Sequence, residues 1–150
     1  MFERELLSVP VMRQVLGDTL RGIGVDEDSI ADILLAATEA CSNVVLHAGP
    51  SVRAYTVALT VDGTACRVEV TDVGRGLRAR LADASRAASA LSGPAQGSPA
   101  HLSALAESGR GIAIMRACMD AVSLRSAPGR GTRVVLAKRV RWAEQLARTA

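Results

Sequence analysis

The chain has 150 residues, enough for one domain with a substantial buried core. Hydrophobic residues make up 49% of the chain but aromatic residues only 2%, so there are too few rings to stack on bases, which argues against single-stranded nucleic-acid binding. The formal net charge is +3 and the basic residues are scattered along the sequence, so a DNA-binding stripe is not indicated either.

The first third of the chain predicts one short strand and two helices. Residues 5–9 suit an edge strand, and Pro10 suits the first turn of a helix that ends near Gly22. Asp26 is a typical N-cap residue for a second, longer helix, which carries an apolar stripe at spacings of three and four and ends near Leu46.

The middle of the chain predicts a hairpin followed by a long irregular segment. Residues 52–72 alternate between apolar and polar types around a tight-turn signal at Asp62-Gly63, which predicts two antiparallel strands with one buried face. Residues 78–110 are rich in Ala and Ser and contain Gly and Pro, with a short helix predicted at 81–91. A loop of this length in a small domain is usually functional, and we expect it to be mobile.

The last third predicts a helix, a second pair of strands and a final helix. The helix begins near Ile112, the strands cover residues 122–126 and 132–138, and the last helix covers residues 141–148. Helices and strands mix without a strict alternation. This pattern predicts a single α+β domain over residues 1–150, built as a sandwich, rather than a doubly wound parallel sheet.

The cysteines and the apolar segments predict a soluble protein in a reducing compartment. Cys41, Cys66 and Cys118 are odd in number and lack metal-ligand spacing, which favours reduced thiols over a zinc site or a disulfide framework. The N-terminus has no signal-peptide pattern, and no segment approaches the roughly 20 apolar residues of a membrane span. We therefore expect a cytoplasmic location.

Three polar residues recur every four positions of the long helix. Glu39, Asn43 and His47 share one face, next to the apolar stripe. The amide oxygen of Asn43 suits a Mg²⁺ that keeps several waters and bridges phosphates. Glu39 is placed to take a proton from a hydroxyl or to position a water. The alternatives are that Glu39 is a solvated helix residue and that His47 only ends the helix.

A glycine-flanked carboxylate follows the hairpin. Asp72 ends the second strand, and Gly74 and Gly76 come directly after it. A buried carboxylate at this point can accept a hydrogen bond from the amino group of adenine, whereas guanine would present a second acceptor. The two glycines would let the backbone approach the base. An ordinary turn after a strand is the alternative interpretation.

Two further glycine motifs come later in the chain. Gly109 and Gly111 flank Arg110 directly before the predicted helix, where free backbone N–H groups at a helix N-terminus favour phosphate. Arg110 would add a positive charge close to a polyphosphate. A hinge for the 78–110 segment is the alternative interpretation. Thr132, after a predicted turn, is within reach of a base edge.

This ordered set of motifs resembles the GHKL, or Bergerat-fold, ATPases. The N box of that superfamily is similar to residues 37–47 (ATEACSNVVLH), and its first glycine box to residues 72–76 (DVGRG). Its second glycine box is similar to residues 109–111 (GRG), and its last glycine–threonine element to residues 131–132 (GT). The resemblance extends over about residues 10–139 and is strongest to the stand-alone anti-sigma-factor serine/threonine kinases.

The resemblance implies a fold and a cofactor. The fold would be a two-layer α/β sandwich with a mixed, mostly antiparallel sheet and helices on one face, and the mobile lid over the ATP would be residues 78–110. Asn43 would bind Mg²⁺, and Asp72 would bind adenine with Thr132 nearby. The remaining nucleotide contacts would come from His47, Gly74, Gly76, Gly109, Arg110 and Gly111.

The resemblance also implies a reaction and partners. Glu39 would activate a serine or threonine hydroxyl on an anti-anti-sigma (STAS-type) protein, assisted by Arg110. The chain would sequester a sigma factor and would not itself contact nucleic acid or membrane, and proteins of this type are commonly homodimers. Two alternatives stay open. One is a regulatory module that binds nucleotide without transferring phosphate, because the lid has no lysine. The other is a detached histidine-kinase catalytic domain.

Overall fold

The computed structural model of the chain describes residues 1–48, 52–72, 99–127 and 131–143. Within these ranges there are five strands and three helices. In chain order they are β1 (Phe2–Glu3), α1 (Ser8–Gly22), α2 (Glu27–His47), β2 (Ala54–Asp62), β3 (Ala65–Asp72), α3 (Pro99–Cys118), β4 (Ala121–Ala127) and β5 (Gly131–Arg139).

The strands form one sheet in the order β1-β2-β3-β5-β4, in which every neighbouring pair is antiparallel. The hairpin predicted over residues 52–72 is confirmed as β2 and β3, and Gly63 adopts a positive φ of 55° in the turn between them. The second predicted pair of strands is confirmed as β4 and β5. The α+β sandwich prediction is therefore confirmed.

The three helices supply the second layer, with α2 at its centre. Helix α2 contacts α1 and α3 on its flanks and β3 and β5 beneath it. Alternate residues of β3 and β5 point into this layer and are buried, whereas most of those between them are exposed or half-buried. The buried sheet residues include Cys66, Val68, Val70, Val134 and Leu136. Complete burial of one such aliphatic side chain contributes about 1.5–3 kcal/mol.

The start of α2 is fixed as the sequence predicts. Asp26 has an extended backbone, with ψ at 151°, and its Oδ1 accepts a hydrogen bond from the backbone N–H of Ser29 at 3.2 Å. Arg141 reaches the same oxygen at 3.3 Å. Burial acts to raise the pKa of Asp26, but the Ser29 hydrogen bonds and the Arg141 charge outweigh it and lower the pKa below its ordinary value.

Helix α2 is also the one helix within the described ranges that is long and apolar enough to cross a membrane. The sequence-based prediction that no segment approaches that length is therefore wrong on length and composition. Half of the apolar window is buried inside the protein against α1, α3 and the sheet. Helix α2 thus has the features of a core helix.

The edge strand predicted at residues 5–9 is wrong. The strand is only Phe2–Glu3, and α1 already begins at Ser8. The carbonyl of Glu5 accepts hydrogen bonds from both the backbone N–H of Ser8, at 3.0 Å, and its hydroxyl, at 2.6 Å. These local hydrogen bonds start a helical turn where the apolar pattern had indicated a strand.

The final helix predicted from residue 141 is wrong at its start. Trp142 pairs with Val25 in an isolated antiparallel bridge, and the backbone N–H of Ala143 donates to the carbonyl of Gly24 at 2.8 Å. Contact with the α1–α2 connection therefore holds residues 141–143 in an extended conformation. The rest of that prediction, residues 144–148, lies outside the described residues.

The helix predicted to begin near Ile112 is longer than expected. It begins at Pro99, so residues 99–110 of the predicted lid are helical. Proline is favoured in the first turn of a helix because it has no backbone N–H to leave unbonded. The short helix predicted at 81–91 lies outside the described residues, and the mobility of the lid remains a prediction.

All three cysteines are free thiols. Burial raises the pKa of Cys41 to about 12 and that of Cys66 to about 11, so both remain protonated at neutral pH. Cys118, at the end of α3, is partly exposed, and its pKa is also raised by burial.

Candidate functional site

The first part of the site is the contact between α2 and α3. Glu39 and Asn43 lie one turn apart on α2, and both are half-buried. Gly111 of α3 faces them, because a Cβ placed on Gly111 would lie 3.1 Å from Oε2 of Glu39 and 3.4 Å from Nδ2 of Asn43. The second motif glycine therefore lies directly against the polar face of α2.

Gly111 acts here through its lack of a side chain. A distance of 3.1 Å is tighter than nine in ten real Cβ contacts, so a Cβ at this position would require the Glu39 carboxylate to shift by a few tenths of an ångström. Gly109, two residues earlier on the same helix, is exposed, and a Cβ there would meet nothing within 4 Å. The two glycines of one motif thus have different surroundings.

The prediction that residues 109–111 open a helix is wrong, so phosphate contacts from these residues would not come from a helix N-terminus. These residues lie ten or more positions inside α3, where backbone N–H groups bond within the helix. The free N–H groups at the start of the helix belong to residues 100–102, since Pro99 itself has no backbone N–H. Arg110 is exposed on the same stretch of helix. Any contact that it makes with phosphate remains a prediction.

The second part of the site is the end of β3. Asp72 is only 2% exposed, and its Oδ1 accepts a hydrogen bond from the backbone N–H of Thr132 at 3.2 Å. Thr132 is the residue directly opposite on β5 and is itself buried. The carboxylate is therefore desolvated and held by the backbone of the neighbouring strand.

Both parts of the site lie where the helix layer packs on the sheet. Asp72 follows Val68 and Val70 on the buried, helix-bearing face of β3, and α2 packs on β3 and β5. His47 is half-buried as the last residue of α2. Gly74 and Gly76 lie outside the described residues.

Sequence reasoning missed Tyr55. It lies directly opposite Asp72 on β2, is 2% exposed, and its hydroxyl is 2.9 Å from the hydroxyl of Ser8. A signal was present in the sequence: a two-residue turn after Asp62 sets the hairpin register, and counting back from it pairs residue 55 with residue 72.

The donor set fits a magnesium-bound adenine nucleotide. Mg²⁺ prefers oxygen ligands, and the polar face of α2 offers a carboxylate and an amide where Gly111 packs closely against it. A buried carboxylate held in one orientation, such as that of Asp72, suits an exocyclic amino group. By the chemistry of their donor and acceptor groups, these residues are therefore compatible with such a nucleotide.

Comparison with known proteins gives a family and a fold. The family model of the histidine kinase-like ATPase domain matches residues 2–138. The chain is similar to the anti-sigma F factors of Thermoanaerobacter sp. (strain X514) and Thermoanaerobacter pseudethanolicus (strain ATCC 33223 / 39E). It is 29% identical to each over 114 residues, which are 74% of this chain and 71% of each relative.

Among solved structures, the chain is similar to the RsbU and RsbW domains of Rv1364c from Mycobacterium tuberculosis. The TM-score is 0.60 at 22% identity, and the match covers 95% of this chain but only 32% of that larger one. At this identity the likeness establishes the fold alone, and that fold agrees with the two-layer arrangement described above.

Proposed function

We propose a function on one premise: this chain belongs to the histidine kinase-like ATPase domain family, whose model matches residues 2–138. The proposed function is that of a cytoplasmic, ATP-dependent protein serine/threonine kinase of the anti-sigma type. Its substrate would be a hydroxyl on an anti-anti-sigma (STAS-type) protein, and it would sequester a sigma factor, most simply as a homodimer.

The observation that carries this proposal is the placement of Gly111 against Glu39 and Asn43. A regulatory nucleotide-binding module needs a metal ligand but no base. Here a carboxylate lies beside the amide, at 3.1 Å from the position of a Cβ on Gly111. A base next to the metal ligand is what transfer to a serine or threonine hydroxyl requires.

The partner class is supported by the curated relatives. Two proteins similar to this chain over about three quarters of its length are anti-sigma F factors. The alternative of a detached histidine-kinase catalytic domain has less support, because a histidine nucleophile needs no base to deprotonate a hydroxyl.

Each site residue has a proposed role. When bound, ATP would supply the phosphoryl group and Mg²⁺ would partly neutralise its charge. Asn43 would hold the metal through its amide oxygen, and Asp72 would accept a hydrogen bond from the adenine amino group. Glu39 takes the proton from the substrate hydroxyl as it attacks. Arg110 stabilises the transferring group electrostatically.

The decisive experiment is phosphotransfer to candidate antagonists. The purified chain is incubated with γ-labelled ATP and each anti-anti-sigma protein of the same genome, and labelled serine or threonine is identified by mass spectrometry. We expect one antagonist to acquire label. Tight ATP binding without label on any of them would favour the nucleotide-binding module instead.

Two variants separate binding from transfer. Glu39→Gln keeps the size of the side chain and should retain ATP binding while transfer falls about 10²- to 10⁴-fold, the usual effect of removing a general base. Asn43→Ala should abolish magnesium-dependent ATP binding by calorimetry. Full transfer by Glu39→Gln would remove Glu39 from the role of base.

A further inference from the structure

The three aromatic residues of the chain are unevenly placed. The sequence contains one Phe, one Tyr and one Trp. Two of these meet at one point, where the rings of Phe2 and Tyr55 stack with centroids 5.7 Å apart. That point lies on β1 and β2, on one side of the candidate adenine site at the end of β3.

Four directly paired residues form a row across β1, β2, β3 and β5. Phe2 of β1 pairs with Tyr55 of β2, Tyr55 pairs with Asp72 of β3, and Asp72 pairs with Thr132 of β5. Directly opposite residues of antiparallel strands have Cβ atoms about 4.5–5.5 Å apart on the same face. Tyr55 is therefore the neighbour of Asp72 on one side, as Thr132 is on the other.

Tyr55 also links the row to both flanking helices. Its buried hydroxyl lies 2.9 Å from the Ser8 hydroxyl in the first turn of α1. Towards α2 it interacts with the thiol of Cys41, which is fully buried. Their mutual interaction is one of the influences on the pKa values of both groups, next to the burial that raises each.

We propose that Tyr55 is a positioning residue for adenine selection, which holds the Asp72 carboxylate in a dry, fixed orientation through the hydroxyl contact with Ser8. This inference rests on the proposed ATP-binding function and deepens it. Thr132 fixes one carboxylate oxygen from the β5 side by its backbone N–H. Tyr55 lies next to Asp72 on the β2 side, and the contact of its hydroxyl with that of Ser8 keeps the ring in place.

The test measures nucleotide selectivity. Tyr55→Phe removes only the hydroxyl and keeps the stacked ring. We expect its Kd for ATP to rise about fivefold, the effect of losing one buried hydrogen bond, with little change for GTP. Calorimetric titration with each nucleotide gives the ratio of the two constants, and the melting temperature records any general loss of stability.

Two further variants make the test specific. Ser8→Ala removes the partner hydroxyl and should shift the ratio of the two dissociation constants in the same direction. The double variant should show no further shift in that ratio, because both changes remove the shared Ser8–Tyr55 contact. The loss of the Ser8 hydroxyl bond to the Glu5 carbonyl should appear in the melting temperature. Leu20→Val changes a fully buried side chain near the end of α1 and should lower the melting temperature without changing the ratio of the two dissociation constants.

The outcomes are distinguishable. ATP binding by the unaltered chain together with an unchanged ratio in Tyr55→Phe would overturn this inference alone. Additive shifts in Ser8→Ala and Tyr55→Phe would overturn the linked contact. An unaltered chain that binds neither nucleotide would overturn the proposed function, and the inference with it.

Discussion

At the scale of single residues, burial and close contact decide which polar groups are suited to chemistry. Glu69 and Asp72 are carboxylates on the same strand. Glu69 faces solvent, where the Arg133 guanidinium at 2.6 Å lowers its pKa. Asp72 faces the helices and is almost completely buried. Of the two, Asp72 is the candidate for distinguishing adenine from guanine, because a buried acceptor that faces a second acceptor and not a donor costs free energy.

This contrast predicts different effects of two matched substitutions. Asp72→Asn replaces an acceptor oxygen with a donor and should weaken ATP binding by about 10-fold or more, while GTP binding changes much less. Glu69→Gln, on the opposite face of β3, should leave both nucleotides unaffected. Competition binding with ATP and GTP checks this, and equal losses of the two nucleotides in Asp72→Asn would contradict the role in adenine selection.

The two glycines of α3 provide a second matched pair. Gly111→Ala introduces a Cβ 3.1 Å from Glu39 Oε2, so we expect it to reduce ATP binding. Gly109→Ala meets nothing within 4 Å and should stabilise the helix by up to about 1 kcal/mol without affecting nucleotide. Calorimetric binding and urea unfolding of both variants provide the check. Normal binding by Gly111→Ala would show that the contact tolerates a methyl group.

At the scale of elements, α2 carries the fold and the site together. Its apolar side covers the sheet, and its polar side presents the candidate base and metal ligand to α3. Its N-terminus is set by Asp26, which also binds the extended residue Arg141. Because one helix has both tasks, a shift in its position would be felt by the core and by the site.

The cap predicts a dependence of stability on pH. The pKa of Asp26 is lower in the folded protein than its ordinary value of 3.8, so its stabilising contribution is complete above that value and is lost as the pH falls through the folded pKa. Asp26→Ala should cost about 0.5–2 kcal/mol near neutral pH.

Asp26→Asn is the control, because asparagine caps helices but does not titrate. Urea unfolding at about pH 7 and about pH 3 should show a smaller acid loss in Asp26→Asn than in the unaltered chain. An identical acid loss in both proteins would assign the effect to other carboxylates.

At the scale of the whole molecule, one lysine joins both layers. Lys138 is the only lysine in the sequence. Its Nζ lies 2.8 Å from Asp32 Oδ2 on α2 and donates to the carbonyl of Cys118, at the end of α3, also at 2.8 Å. A cation at a helix C-terminus also complements the helix dipole. Lys138 thus ties α3, with its Gly111, to α2 and β5.

We expect Lys138→Met to keep the packing of the aliphatic stem and to lower the free energy of unfolding by about 1–3 kcal/mol, since it leaves the Cys118 carbonyl without its donor. Arg139→Met, the next residue and exposed, is the control and should have little effect. Urea unfolding of both variants measures the difference. Equal stability of the two variants would show that the packing of α2, α3 and β5 does not depend on the charge of Lys138.

Sequence by itself determined the elements whose signals are local. The alternation of residues 52–72 predicted the hairpin, and Asp26 predicted the start of α2, because side-chain period and capping act over a few residues. The ordered motifs around Asn43, Asp72 and Gly111 also indicated the family that the comparison confirms.

Tertiary structure alone decided the contacts between these elements. Gly109 and Gly111 indicated a break before a helix because each glycine costs about 1 kcal/mol inside one, yet α3 runs through both. Its packing on α2 outweighs that local cost, and Gly111 is the point that lets the two helices approach. Tyr55 and Asp72 are adjacent for a similar reason: strand pairing joins residues that are distant in the chain, and local preferences do not record such contacts.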